Sequence, residues 1–141
     1  ESFDIIAFSS ILHHIDDYIQ PLREATRVLK PGGTVFAFDP NLLHPPMAIL
    51  RHPKSPFYSP VGVSPNERPL MPRALRRAFR EANLVNLKQR GFADLPYRLI
   101  SLHVSPLVLS AYNTSAWLLE RSGLGRWFGS FTITVGSKPA K

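Results

Sequence analysis

The chain has 141 residues, no cysteine and a formal net charge of +7, with 44% hydrophobic and 19% charged residues. This length and composition allow one globular domain with a hydrophobic core, and they exclude a disulfide framework, a thiolate metal site and a cysteine nucleophile. The lack of cysteine favours a cytoplasmic location, and no apolar run is long enough to predict a membrane span. The positive charge favours acidic partners, although basic surfaces are also common in proteins that bind none.

The first segment, at 3–9, is a nearly continuous apolar run, typical of a strand covered on both faces in a parallel sheet. Natural domains seldom begin on their most buried strand, so we expect the chain to be a piece of a longer protein. A helix is predicted at about 18–29, with Asp16 and Asp17 supplying its cap and a first-turn carboxylate. The segment 30–33, Lys-Pro-Gly-Gly, predicts the end of that helix.

A second apolar strand is predicted at 34–38, so that strand, helix and strand form a right-handed βαβ unit. Nine of the fourteen prolines then lie between Pro40 and Pro72, which predicts a long ordered loop and neither a regular helix nor a central strand. The remaining predicted elements are a helix at 73–84 ended by Asn83 in the left-handed conformation, a strand near 85–89, a mostly helical apolar region at 99–128 and a last strand at 131–135.

Four segments near the start carry a family resemblance: FDII at 3–6, LHHIDD at 12–17, LREA at 22–25 and RVLKPGG at 27–33. In this order they resemble the fourth strand, the following helix and the fifth strand of class I S-adenosylmethionine-dependent methyltransferases. The resemblance implies an α/β fold, the C-terminal half of a Rossmann-like doubly wound sheet with an antiparallel last strand and an inserted helical region. It also implies S-adenosylmethionine as cofactor, although the family's glycine-rich loop has no counterpart in this sequence.

We therefore expect one partial domain over 1–141, inactive by itself. Its parts are a strand-helix-strand motif region at 1–41, a proline-rich loop at 42–72, and a helix, a strand, a helical insertion and a last strand at 73–141. In the family's sheet order the first strand here would have a neighbour that this sequence lacks. An exposed apolar strand edge recruits other strands, so we predict self-association through residues 3–8.

The candidate site residues lie where the two parallel strands are predicted to end, the edge at which open α/β sheets bind ligands. The resemblance implies cofactor contact at Ser9, with Ser10 beside it; the alternative is a serine that satisfies its own turn. His14 is a candidate to line the site and to act as a general base, and His13 is a candidate on the substrate side. Either histidine could instead be buried and hydrogen-bonded for packing. Asn41, just after the second strand, is a candidate polar contact to the substrate.

No metal site is predicted, because adjacent histidines on a turn diverge and the neighbouring aspartates suit a helix start. The leading hypothesis is methyl transfer to a small-molecule or lipid-like acceptor by a longer enzyme. The alternative is a non-catalytic basic α/β module that docks on an anionic membrane surface or nucleic acid, through apolar and basic residues at 118–128. We expect no nucleic-acid binding, because no basic ladder is interleaved with aromatic residues, and the arginines at 73–80 suit a solvated helix face.

Overall fold

A computed structural model describes residues 1–56, 58, 60, 63–93 and 106–140. Four strands in these residues form one sheet in the order β1-β2-β4-β3, with bounds β1 (Phe3–Ser9), β2 (Leu29–Pro40), β3 (Val85–Phe92) and β4 (Phe131–Ser137). β1 and β2 run parallel, whereas β4 is antiparallel to both of its neighbours. The predicted α/β class with an antiparallel last strand is confirmed.

Helices connect and cover these strands. Their bounds are α1 (Ile19–Val28), α2 (Pro45–Leu50), α3 (Pro72–Glu81), α4 (Pro106–Arg121) and α5 (Gly125–Phe128), and one short 3-10 turn spans Leu12–His14. Among the described helices, none is long and apolar enough to cross a membrane. The predicted helical region at 99–128 corresponds to α4 and α5 from residue 106 onward, and its earlier part lies outside the described residues.

The main core lies between the sheet and the helices α1 and α3. Leu22 of α1, Leu75 and Phe79 of α3, and Leu29 and Val35 of β2 are all no more than 1% exposed. The apolar side chains of both helices recur every three or four residues, which places them on one face. Helical periodicity therefore identifies the face of each helix that enters the core.

β1 differs from its prediction because only one of its faces is covered. Ile6 and Phe8 pack against the core, whereas Phe3 and Ile5 are 53% and 68% exposed. The strand lies at one side of the described sheet and pairs with β2. An apolar strand open on one face is consistent with the expected self-association, which stays a prediction.

The connection from β1 to β2 corrects two local predictions. Helix α1 has Tyr18 as its N-cap, and Asp17 Oδ1 accepts the Ile19 N–H at 3.2 Å, while Asp16 is ion-paired with Arg68 at 3.2 Å. The segment 30–33 belongs to β2 and forms a bulge between Leu29, which pairs with Phe3, and Thr34, which pairs with Ile5. Helix α1 ends at Val28, just before this segment, as predicted, but pairing with β1 on either side of the bulge makes the segment part of the strand. Gly32 takes the left-handed φ of 78° that the bulge needs.

The proline-rich segment also contains structure that its composition did not predict. Pro45 and Pro46 occupy the first positions of α2, where an absent backbone N–H breaks no helical hydrogen bond. The prediction of a loop without helix was therefore wrong at 45–50. The segment then returns to the sheet, because Leu70 donates its N–H to the Pro40 carbonyl at 2.9 Å.

At the side of the sheet opposite β1, the backbone of α5 lies directly against β3. A Cβ on Gly91 would lie 2.5 Å from the Gly125 carbonyl oxygen, and a Cβ on Gly129 would collide with the backbone of Phe92. Such close approach is open only to glycine.

Before β3, Asn83 has a φ of 61°, the left-handed conformation predicted for it.

Candidate functional site

The parallel strands β1 and β2 end side by side and open a polar turn at their carboxyl ends. Ser9 lies opposite Phe38 in the register, and Ser10 donates its backbone N–H to the Phe38 carbonyl at 2.7 Å. Ser10 has a φ of 54°, which turns the chain sharply away from the sheet. Both serines are exposed, and neither hydroxyl has a hydrogen-bond partner among the residues that the structure describes. Two hydroxyls are therefore available at the edge predicted for the cofactor.

His13 lies beneath this edge and is bonded to Asp39, the acidic residue of β2. Its backbone N–H and its ring Nδ1 both contact Oδ1 of Asp39, at 3.1 and 2.9 Å. A carboxylate only accepts hydrogen bonds, so Nδ1 carries a proton, and in the neutral imidazole Nε2 carries the lone pair. His13 is 4% exposed, and the second oxygen of Asp39 is buried without a hydrogen-bond partner among the described residues. The pair fixes the turn after β1 against the end of β2.

His14 is more accessible than His13 and meets a different partner. Its Nδ1 lies 2.7 Å from Ser64 Oγ, and its side chain is 38% exposed. Glu67 Oε2 lies 3.0 Å from the Ser64 N–H, 3.3 Å from Ser64 Oγ and 3.9 Å from His14 Nδ1. The hydroxyl proton is drawn to the carboxylate, so Ser64 accepts from His14 and the ring proton sits on Nδ1. Nε2 is left as a lone-pair nitrogen without a partner in the described part of the chain.

Ser64 and Glu67 were not predicted as site residues, although one local signal marks them. Ser-x-x-Glu is the spacing of a capping box, in which the carboxylate reaches back to the serine N–H. The structure shows that contact between Glu67 and Ser64. The spacing reveals the pair but not its neighbour, because His14 lies 50 residues away along the sequence.

The two histidines border a cavity of about 280 Å³. Their ring centroids are 4.0 Å apart, so the pair forms a continuous part of its wall. Polar and apolar side chains from β1, α2, β4 and the proline-rich segment share the lining. It consists of Ser10, His13, His14, Pro40, Met47, Arg51, Val63, Glu67, Pro69 and Phe131. The cavity thus brings together two imidazoles, a carboxylate and an apolar surface at the carboxyl ends of two parallel strands.

Asn41 has a different place from the substrate-side position predicted for it. The residue is fully buried, and Nδ2 donates to the carbonyls of Trp127 at 2.9 Å and Gly129 at 2.8 Å. Its Oδ1 accepts the Leu43 N–H at 2.9 Å. The Asn41 amide therefore donates both of its hydrogens to backbone carbonyls. These bonds anchor the segment after β2 to the end of α5. A position after a strand predicted the location but not this internal pairing.

His44 forms a second anchor that the sequence did not reveal. It is fully buried, and its Nδ1 donates to the Phe128 carbonyl at 2.8 Å. Burial lowers the pKa of the imidazole, and the bond to the Phe128 carbonyl opposes this only in part. Nε2 is buried without a partner among the described atoms. His44 is therefore a neutral packing residue, the role that sequence reasoning had weighed for the other two histidines.

A metal site and a glycine-rich cofactor loop are two further features that a binding site at this edge could contain. Within the described residues, no group of three or more His, Asp or Glu side chains could hold a metal ion. The described glycines are Gly32 and Gly33 in the first part of β2 and those at 91–136. All of them lie away from the turn after β1. The described part of the chain thus supplies hydroxyls and histidines at this edge, without a glycine-rich cradle.

Comparison with known proteins supports the predicted resemblance. Residues 1–37 match the family model of a methyltransferase domain. A curated relative, demethylmenaquinone methyltransferase of Bacillus velezensis, is 32% identical over 108 residues, which cover 65% of this chain and 46% of the relative. The chain therefore spans about half of that relative's length.

Two solved structures have a similar fold over nearly the whole chain. A S-adenosylmethionine-dependent methyltransferase from Archaeoglobus fulgidus has a TM-score of 0.60 and 16% identity, covering 97% of this chain and 60% of its own. Another from Thermotoga maritima has a TM-score of 0.60 and 20% identity, covering 98% and 57%. The start of the chain is therefore similar to a methyltransferase domain, and nearly the whole chain shares the fold of S-adenosylmethionine-dependent methyltransferases.

Proposed function

We propose that the protein containing this chain transfers a methyl group from S-adenosylmethionine to a small-molecule or lipid-like acceptor in the cytoplasm. The observation that carries the proposal is the cavity at the carboxyl ends of β1 and β2, with the imidazole of His14 in its lining. In an open α/β sheet this edge is where ligands bind. The methyltransferase fold raises the expectation, but the roles of individual residues follow from the site.

The available hydroxyls fit one side of the cofactor. S-adenosylmethionine supplies an electrophilic methyl group when bound. Ser9 and Ser10 would hold it, because both hydroxyls are exposed and lack partners in the described part of the chain. The turn after β1 offers no glycine cradle, so these serines would provide only part of the binding energy.

His14 is the proposed general base. Its Nδ1 proton is held by Ser64, and its lone-pair Nε2 would take the proton that the acceptor atom loses as it gains the methyl group. His13 has the same tautomer but is 4% exposed, which makes it a support for the cavity floor. Glu67 would stabilise the imidazolium that forms on His14, because its Oε2 is 3.9 Å from Nδ1.

The acceptor would lie against the apolar part of the lining. Met47, Val63 and Phe131 face the same cavity as the histidines. Such a surface suits an acceptor with an extended apolar part, held by burial of its hydrocarbon. The curated relative is named for demethylmenaquinone, and that name adds support for an acceptor of apolar character.

Calorimetric titration of the protein containing this chain with S-adenosylmethionine tests the proposal. Ser9→Ala should weaken binding by about two- to tenfold, the scale of one hydrogen bond of about 0.5–1.5 kcal/mol. Ser2→Ala removes a hydroxyl at the opposite end of the same strand and should leave binding unchanged. Binding that is indifferent to both Ser9→Ala and Ser10→Ala would contradict the assigned edge, and a protein that does not bind the cofactor would contradict the function.

A further inference from the structure

The outward side of α4 and α5 carries large apolar side chains. Its apolar members are Leu107, Trp117, Leu118, Leu124, Trp127 and Phe128, and we name this set, with Arg121 and Arg126, the α4–α5 surface. Leu107 is 79% exposed, Trp117 58% and Trp127 50%. In α4, Leu107 and Leu118 are about three helical turns apart and lie on one side, and Trp117 is adjacent to Leu118. Scattered exposed apolar residues are ordinary, but a clustered set with two tryptophans marks a contact surface.

The inward side of α4 is mixed in character. Ala116 is buried and Leu119 is half-buried there, and Glu120 is ion-paired with Arg90 at 3.4 Å. The adjacent Trp117 is exposed. Helix α4 therefore does not turn all of its large apolar side chains towards the protein, and those on its outer side can meet a second apolar environment.

Cationic side chains lie against both tryptophans. The guanidinium of Arg126 is 3.7 Å from the centre of the Trp127 ring, and that of Arg121 is 5.4 Å from the centre of Trp117. Glu120 is the acidic residue of α4 and α5, and Arg90 pairs with it. The α4–α5 surface is therefore apolar and positively charged together.

We propose that the α4–α5 surface docks on an anionic phospholipid bilayer. Tryptophan with an adjacent arginine suits the boundary between acyl chains and headgroups, where the ring is buried and the charge meets phosphate. A second copy of the same surface would bring like charges together, which opposes self-association through it. The net charge of +7 adds attraction to an anionic membrane. This proposal goes beyond methyl transfer and does not depend on it.

Tryptophan fluorescence offers a direct test, because Trp117 and Trp127 are the two tryptophans of the chain and both belong to this surface. The chain is titrated with vesicles of phosphatidylcholine, with and without phosphatidylglycerol, at low and at high salt. We expect a blue shift and quenching by brominated lipid on the anionic vesicles at low salt. Raising the salt to shorten the screening length should reverse the binding.

Two charge-matched double variants make the test specific. Arg121→Gln with Arg126→Gln should weaken vesicle binding by about tenfold or more, since each basic residue near an anionic surface contributes about 1 kcal/mol. Arg76→Gln with Arg77→Gln removes the same charge from the exposed face of α3 and should have a much smaller effect. Circular dichroism should confirm that all variants keep the helical content of the parent chain.

The outcomes separate the alternatives. Loss of binding in the α4–α5 double variant with retention in the α3 variant supports the proposal. It is overturned if anionic vesicles cause no blue shift, or if both variants lose binding equally, which would indicate attraction by net charge. A blue shift that depends on protein concentration and not on vesicles would identify self-association through this surface and would also overturn it. None of these readouts requires methyl transfer, so their failure leaves the proposed enzymatic function standing.

Discussion

His14 and His44 show how two imidazoles with the same tautomer serve different purposes. Each donates its Nδ1 proton to an oxygen, at 2.7 Å to Ser64 in one case and 2.8 Å to the Phe128 carbonyl in the other. In both, Nε2 is left with the lone pair. His14 stands in the wall of an open cavity, whereas His44 is fully buried. Accessibility of the second nitrogen, and not the hydrogen bond at the first, separates a candidate base from a packing residue.

The same contrast holds for the surroundings of each ring. Around His14 the partners are side chains of a solvent-facing segment, Ser64 and Glu67, which can adjust when a ligand enters. Around His44 and Asn41 the partners are backbone carbonyls of Trp127, Phe128 and Gly129, which are fixed by the fold. We therefore expect changes in the first region to alter turnover and changes in the second to alter stability.

The largest expected effect is on turnover. His14→Ala should reduce the methyl-transfer rate of the protein containing this chain by about 100-fold or more, the usual contribution of a positioned general base. The midpoint of thermal unfolding should change little, because the side chain is 38% exposed. Single-turnover assays with saturating cofactor, alongside thermal melts, provide the two measurements. Full activity with a much lower melting temperature would assign His14 to packing.

A graded variant sharpens that result. Ser64→Ala keeps the His14 imidazole and removes only its partner at Nδ1, so the rate should fall less than in His14→Ala. A rate equal to that of the parent protein would show that Ser64 does not position the ring.

The next effect is on stability. Asn41→Ala would leave the carbonyls of Trp127 and Gly129 and the N–H of Leu43 without their present partners. The free energy of unfolding should fall by about 3 kcal/mol, at about 1 kcal/mol for each buried hydrogen bond. Chemical denaturation measures it, with the exposed Asn66→Ala as a control expected within about 0.5 kcal/mol of the parent. Near-equal stability of the two variants would mean that Asn41 is not an anchor.

The smallest effect concerns pH. Because burial lowers the pKa of His44 below its ordinary value of about 6.5, the unfolded chain takes up a proton at that residue before the folded chain does. The stabilising contribution is complete above about pH 6.5 and is lost as the pH falls towards the lowered pKa. The difference between the unfolding free energies measured at pH 7 and pH 5.5 should be smaller in His44→Gln, which cannot titrate, than in the parent chain. An unchanged pH dependence would show that His44 is protonated equally in both states.

Sequence reasoning located the elements whose signal is local. The apolar strand at 3–9, the amphipathic periodicity of α3 and the terminal strand were all predicted, and Asn83 has its expected left-handed φ. The start of β2 was missed because pairing with β1 draws the glycine-containing segment into the sheet. Proline composition concealed α2, since proline at the first helical turn is compatible with a helix.

The candidate site was predictable as a place but not as a set of contacts. The predicted ends of two parallel strands pointed to Ser9, Ser10, His13 and His14, and all of these except Ser9 line one cavity. Their partners are distant in sequence: Asp39 is 26 residues from His13, and Ser64 is 50 residues from His14. The partners of Asn41 were not predicted, because only tertiary packing shows which carbonyls it meets. Spacing along the chain carries no record of such pairings.

The glycines that let α5 lie against β3 have a consequence for how this part of the molecule can evolve. A segment seated by backbone contacts at Gly91 and Gly129 keeps its position whatever side chains it displays outward. Selection can therefore exchange Trp127 or Phe128 freely to suit a new environment, while the glycines beneath stay fixed. Across descendants of a common ancestor, we expect a constant glycine framework here under a rapidly changing exterior.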